Sequence, residues 1–202
     1  MESQTRNSLT PSERIGAIPE AVWAPVMSFI LLAIVGGFAL AAGQPWIFPS
    51  LGPTAHLQTA QARRSTAQLY HVIVGHALGI GSGYGAVYLL GANTAPAILS
   101  TYHVTTVRVF AATLAVFLTL LTGTLLKASH PPAAATTLII ALGGFKGWKG
   151  VSALAAGIVI LALLGDAARR VRANGLDSLD ARERVRRRRA AAAPPDEPPD
   201  RA

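Results

Sequence analysis

Four long apolar runs alternate with polar breaks along the chain. Val22–Ala42, Tyr70–Leu90 and Val109–Leu126 are each long enough for a helix to cross a bilayer, which takes about 20 apolar residues. Val151–Gly165 is a shorter run with Trp148 at its start as an interfacial anchor. Two further segments are apolar but broken by proline. Phe48-Pro49-Ser50-Leu51-Gly52-Pro53-Thr54-Ala55-His56 cannot form one regular helix through both prolines. It reads as a re-entrant dip or as a short helix beginning near Ser50 or Gly52. Ser129-His130-Pro131-Pro132 opens the second, with Ser129 as N-cap, prolines where no intrahelical N–H is needed, and Gly143-Gly144 as the stop. From Pro131 to Leu142 such a helix measures about 18 Å, short of the roughly 30 Å hydrocarbon core.

The expected fold is therefore all-α: a polytopic transmembrane bundle with short proline-broken helices. The expected organisation is a polar leader over 1–20, a transmembrane domain over 21–166, and a basic then proline-rich tail over 167–202 that is largely disordered after a short helix. The leader has no apolar core of its own, so it does not read as a cleavable signal peptide. Shifting the chain by 79 residues lays Ser50, Pro53 and Ala55 on Ser129, Pro132 and Ala134. The same pattern of span, broken helix and span then recurs. Broken helices at matching positions of two halves point to a transport site. Parallel and inverted repeats both remain open, with five or six crossings depending on whether the Gly52-Pro53 element crosses.

Composition narrows the chemistry. The mean hydropathy is +0.40, 51% of residues are hydrophobic and only 14% are charged, values of a membrane protein. There is no cysteine, so disulfides and thiol chemistry are excluded. The net charge of +8 is concentrated after Asp166, where Arg169, Arg170, Arg172 and Arg186–Arg189 lie, while Gly91–Thr106 has no Lys or Arg. That asymmetry places the C-terminus in the cytoplasm and Gly91–Thr106 on the other side. A tail attracted to anionic lipid accounts for the same charge, so no nucleic-acid partner is expected. The richness in arginine and alanine suggests a bacterial source, hence an inner-membrane location. Gly75, Gly79 and Gly83 recur every fourth residue as a flat face for close helix packing, within the protein or against a second copy.

A helix N-terminus held at membrane depth presents unpaired N–H groups and partial positive charge, a site suited to an anion. His130 could hydrogen-bond such an anion or simply satisfy nearby backbone. Ser129, Thr136 and Thr137 could offer hydroxyls to it or bond their own helix. Arg108 reads as an interfacial arginine whose head reaches water. His71 and His76 lie about 140° apart around a helix and form no metal face, so no metal and no cofactor is expected. No nucleophile, base and acid grouping stands in a plausible context, so the chain does not read as an enzyme.

Ser129-His130-Pro131-Pro132-Ala133-Ala134, together with Pro49-Ser50-Leu51-Gly52-Pro53-Thr54-Ala55, resembles the HPP family of small integral membrane proteins, named for its His-Pro-Pro motif. The resemblance covers roughly Ala21–Gly165. Some members are associated with nitrite transport, so it implies a transporter or channel for a small inorganic anion. In that reading Ser50, Gly52, Pro53, Thr54, Ser129, His130, Pro131, Pro132 and Thr136 bind the substrate, at two converging helix N-termini. A membrane scaffold or assembly factor, whose prolines and glycines serve packing alone, is the alternative.

Overall fold

The computed structural model describes residues 9–192. Among these residues it is helical without strands, as the apolar periodicity requires. Two compact units divide the chain, Pro19–Arg170 and a smaller one that joins the N-terminal residues to those after Val171.

In the larger unit, α2 (Glu20–Ala42), α4 (Leu69–Leu89), α6 (Thr106–Leu125) and the first part of α8 (Gly147–Ala192) are long and apolar enough to cross a membrane. Phe29, Phe38, Phe110, Phe117 and Leu163 are exposed on them. On membrane spans these are the side chains that lipid covers. The two broken segments hold short helices, α3 (Leu51–Ala60) and α7 (Ala133–Ala141), of about 15 and 14 Å. A four-residue turn of helix, α5 (Ile98–Thr101), lies in the loop between the halves.

Contacts fix the direction in which each segment runs. Going up α4, Gly75, Gly79 and Gly83 meet His130, Ala133 and Ile140 in turn, so α7 runs parallel to α4. It runs antiparallel to α6, since Thr119 bonds Thr137 while Arg108 reaches Ala141. The first half repeats this with exchanged partners. Up α8, Gly157 meets Trp46 and Gly165 meets Gln58, while Arg169 bonds the carbonyl of Ala62, so α3 runs parallel to α8. Against α2 it is antiparallel, with Thr59 bonded to Ser28 and Ile47 beside Gly36. Both broken segments thus pass from one end of the bundle to the other. The choice between five and six passages resolves to six, and the repeat is inverted. Each short helix packs antiparallel to the first helix of its own half and parallel to the third helix of the other half.

Two buried clusters hold these pairings. Leu31, Val35, Phe48, Leu51, Ala55, Leu154, Ile158 and Leu161 enclose α3. Alanines 86, 92, 111, 112, 115 and 141 bring α4, α6 and α7 close together. The glycine stripe is occupied by α7: a Cβ at Gly79 would sit 2.8 Å from the carbonyl oxygen of Ala133. Gly81 and Gly85 on another face of α4 have nothing within 4 Å.

The smaller unit departs from the expected short helix and disordered tail. Helix α8 continues unbroken to Ala192, and α1 (Pro11–Gly16) packs on its later part. Thr10 and Glu13 form a reciprocal capping box at the start of α1. Gly16 and Gly175 are in backbone contact, Arg172 donates to the carbonyls of Ile15 and Ile18, and Glu13 pairs with Arg182. The expected tail attracted to anionic lipid did not include specific acceptors for Arg172 and Arg182. Residues 1–8 and the proline-rich end over 193–202 lie outside the described residues.

Candidate functional site

The two proline-broken segments meet at the centre of the larger unit. The Ser50 Oγ lies 2.7 Å from Thr136 Oγ1, linking the start of α3 to the middle of α7. Thr136 Oγ1 is 2.8 Å from Nδ1 of His76, which α4 supplies. Nε2 of His76 lies 3.0 Å from Thr54 Oγ1, and that hydroxyl is 3.2 Å from Nε2 of His130. His130 Nδ1 donates to the carbonyl of Thr66 at 2.9 Å. The two imidazoles meet edge to face, with centroids 4.9 Å apart. Ser50, Thr54, His76, His130 and Thr136 are all buried.

The Thr66 carbonyl gives this chain of bonds its direction. A carbonyl only accepts, so His130 carries its proton on Nδ1, and when the ring is neutral Nε2 accepts from Thr54. Thr54 then accepts from His76 Nε2–H, Thr136 donates to His76 Nδ1, and Ser50 donates to Thr136. Thr54 has a second acceptor within reach, the carbonyl of Ser50 at 2.9 Å. Protonation of His130 at Nε2 turns that ring into a donor, and the Thr54 hydrogen rotates to the Ser50 carbonyl. The hydrogen bonds of the centre can therefore be kept in either form of His130 with one hydroxyl rotation, leaving no member of the network unpaired.

On the other side of His130 lies a cavity of about 270 Å³. Ser129, His130, Pro131, Ala133 and Ala134 form one wall, and Thr119, Gly123 and Thr124 of α6 and Gly75 of α4 form the rest. The Thr119 hydroxyl is tied to Thr137 Oγ1 at 2.8 Å, and the single Thr137 hydroxyl hydrogen is shared between Gly79 O and Ala133 O. Of the two threonines, Thr119 lines the cavity.

The expected site residues divide between these two places. Ser50, Thr54, His130 and Thr136 are brought together in the buried network. Ser129, His130 and Pro131 line the cavity, while Pro132 is buried behind it as the N-cap of α7. Gly52 and Pro53 lie toward the outer face of α3 and belong to neither. The expected cap is corrected: Ser129 makes no capping bond, because α7 begins at Ala133, beyond its reach. The expected free N–H groups are likewise displaced. Ala133, Ala134, Ala135 and Thr136 donate to His130 O, Pro131 O and Pro132 O in tight turns. Among the described residues, the N–H groups without a partner at this motif are those of Ser129 and His130.

Two participants went unrecognised in the sequence. His76 was weighed only as a metal ligand with His71, although its place one residue from Gly75 puts it beside the glycine face where α7 docks. Arg108 is not an interfacial arginine; it is 1% exposed and clamps the Pro96, Ala141 and Ala95 carbonyls.

Neither a curated protein nor a solved structure matches the chain. A protein-family model does, one described as "HPP, transmembrane region", over residues 13–175. The match extends past the Ala21–Gly165 resemblance at both ends, to the residues that carry the Gly16–Gly175 contact of the smaller unit. With both proline breaks, all four spans and most of the chain inside it, this multi-pass membrane protein belongs to the HPP transmembrane family.

Proposed function

We propose that the protein is a transporter or channel for a small inorganic anion, with nitrite as the substrate its family resemblance suggests, and that it is not an enzyme. The observation that carries this reading is the cavity at the His-Pro-Pro turn. It is lined by Ser129, whose hydroxyl has no partner among the described residues, and by the turn that carries the two unpartnered N–H groups, donors that can replace part of an anion's hydration without a fixed countercharge. The protein sits in the inner membrane of a bacterium, with the arginine-rich end in the cytoplasm and residues 91–106 on the opposite side. The lipid bilayer is its surroundings, and nucleic acid is not a partner. A second copy would pack on the open Gly81 and Gly85, because Gly75, Gly79 and Gly83 of the same helix are already covered.

A scaffold or assembly role has its own support in the hydrogen-bonded centre, where Ser50, Thr54 and Thr136 have their partners within the protein. Nitrite uptake into proteoliposomes separates the two. Transport requires uptake above empty liposomes, reduced in His130→Ala and reduced further in Pro132→Leu, with folding checked by detergent chromatography. Wild-type rates in both variants, or no uptake by the wild type, leave the scaffold reading in place.

A further inference from the structure

A second cavity, of about 190 Å³, lies at the other end of α7 from the His-Pro-Pro turn. Its lining includes Arg108, Lys146, Asn93, Tyr84, Tyr88 and Gly143. At about 30 Å³ per water it has room for a small ion with part of its hydration shell.

Arg108 is the feature that needs explaining. A buried charge is costly unless it is paired. No Asp or Glu occurs between Glu20 and Asp166, and Asp166 is already held by Arg169 and Arg170. Among the described residues the guanidinium therefore has no carboxylate partner. It has five N–H donors, and three are used: Nε to Pro96 O at 3.1 Å, Nη1 to Ala141 O at 3.0 Å and Nη2 to Ala95 O at 2.8 Å. One N–H on each terminal nitrogen is left. The three carbonyls, one of them at the C-terminal end of α7, orient the group and offset part of its charge. None of them neutralises it. Gly143 belongs to the arrangement too, since a Cβ there would come within 2.9 Å of Nη2. Lys146 adds a second cation to the same cavity, and among the described residues it too has no acidic partner.

We infer that the cavity between Arg108 and Lys146 binds a small monovalent anion, which supplies the negative charge that the segment between Glu20 and Asp166 lacks. The two remaining guanidinium N–H groups hold it, and Lys146 gathers it at the mouth. The inference deepens the transport reading and rests on it for the anion's passage, though not for its binding. In the proposed orientation this is the non-cytoplasmic side, where lysine and arginine are disfavoured. Cations retained there fit a place where an anion is captured before it moves along α7 toward the His-Pro-Pro cavity.

The test is thermal unfolding of the purified full-length protein in detergent, titrated with sodium nitrite and, at matched ionic strength, with sodium gluconate. Binding predicts a saturable rise in Tm with nitrite and none with the bulkier gluconate. Lys146→Glu places a carboxylate at the exposed mouth without touching the core, and should raise the midpoint nitrite concentration at least about tenfold. Arg108→Gln should remove the Lys146-sensitive part of the rise where it folds; where it does not, Lys146→Glu decides. Equal responses to the two salts, or a wild-type midpoint in Lys146→Glu, overturn the inference. Proteoliposome uptake run beside it separates the two claims. A Lys146-sensitive rise without flux keeps this site and removes transport, whereas flux with no Lys146-sensitive rise keeps transport and removes this site.

Discussion

Gly79 offers a quantitative test of the fold, because Gly81 provides a control two residues away on the same helix. At Gly79 a Cβ would lie 2.8 Å from Ala133 O and 2.9 Å from Thr137 Oγ1, so α4 and α7 must part by about 0.6 Å to restore ordinary contact. Overpacking of this kind costs about 1–3 kcal/mol. The displaced Thr137 Oγ1 to Gly79 O bond, 3.1 Å long, adds about 0.6 kcal/mol, the mean for such bonds between membrane helices. Replacing glycine by alanine within a helix returns about 1 kcal/mol. Gly79→Ala should therefore destabilise by about 0.6–2.6 kcal/mol. At Gly81 nothing lies within 4 Å, so Gly81→Ala keeps the helical gain alone. With about 2–4 °C per kcal/mol for a chain of this size, the two variants should melt about 3–14 °C apart, Gly79→Ala lower. Scanning fluorimetry in detergent, which reads Trp23, Trp46 and Trp148, is the assay. Equal melting temperatures would refute the close approach of α7 to the glycine stripe.

Three other outcomes are expected. Thr136→Val removes the bonds to Ser50 and His76 and should cost about 1–3 kcal/mol of stability, read by the same melting assay, with Thr136→Ser retaining most of it. The chain has no cysteine, so single cysteines report topology cleanly: Tyr102→Cys should react with an impermeant reagent in intact cells, and Ala181→Cys should not. In the smaller unit, the Thr10 N–H donating to Glu13 and the charge of Arg182 hold the Glu13 carboxyl below its usual range. A depressed folded pKa gives stability that is present above the unfolded value and lost as pH falls through the folded one. Hydrogen exchange over residues 11–16, corrected for intrinsic rate, should therefore accelerate below about pH 4 while that of α4 does not; protection that persists unchanged to pH 2 would count against the capping box.

The sequence made the elements legible because bilayer thickness and proline chemistry act locally. Runs of about 20 apolar residues have few alternatives to a spanning helix, and Pro53 and Pro132 permit a helix only on one side of themselves. The fourfold glycine spacing correctly announced a close neighbour, and the 79-residue repeat correctly paired the two short helices. What remained hidden depends on partners distant in the chain. Ser129 looks like a cap until the turn at Pro131 and Pro132 delays the helix to Ala133. His76 has no polar neighbour in its own helix, and its roles come from Thr54 and Thr136. Arg108 occupies a position where a snorkelling arginine is usual, and only the returning carbonyls of Ala95, Pro96 and Ala141 draw it inward. Arg172 reads as part of a lipid-attracted tail because its acceptors, the carbonyls of Ile15 and Ile18, are encoded more than 150 residues earlier.

The exchanged pairing of the short helices has a consequence for biosynthesis. Helix α4 is the least apolar of the four spans, and the surface it presents at Gly75, Gly79 and Gly83 is filled only when His130–Ile140 arrives. At about 5–20 residues per second the ribosome needs several seconds to make that stretch. Until then the stripe faces lipid or the insertion machinery. Helix α3 waits longer, since Gly157 and Gly165 of α8 are almost the last part of the bundle to be made. Neither half can complete its own packing, so the bundle closes in the order of synthesis, α7 filling the stripe on α4 first and α8 covering α3 last.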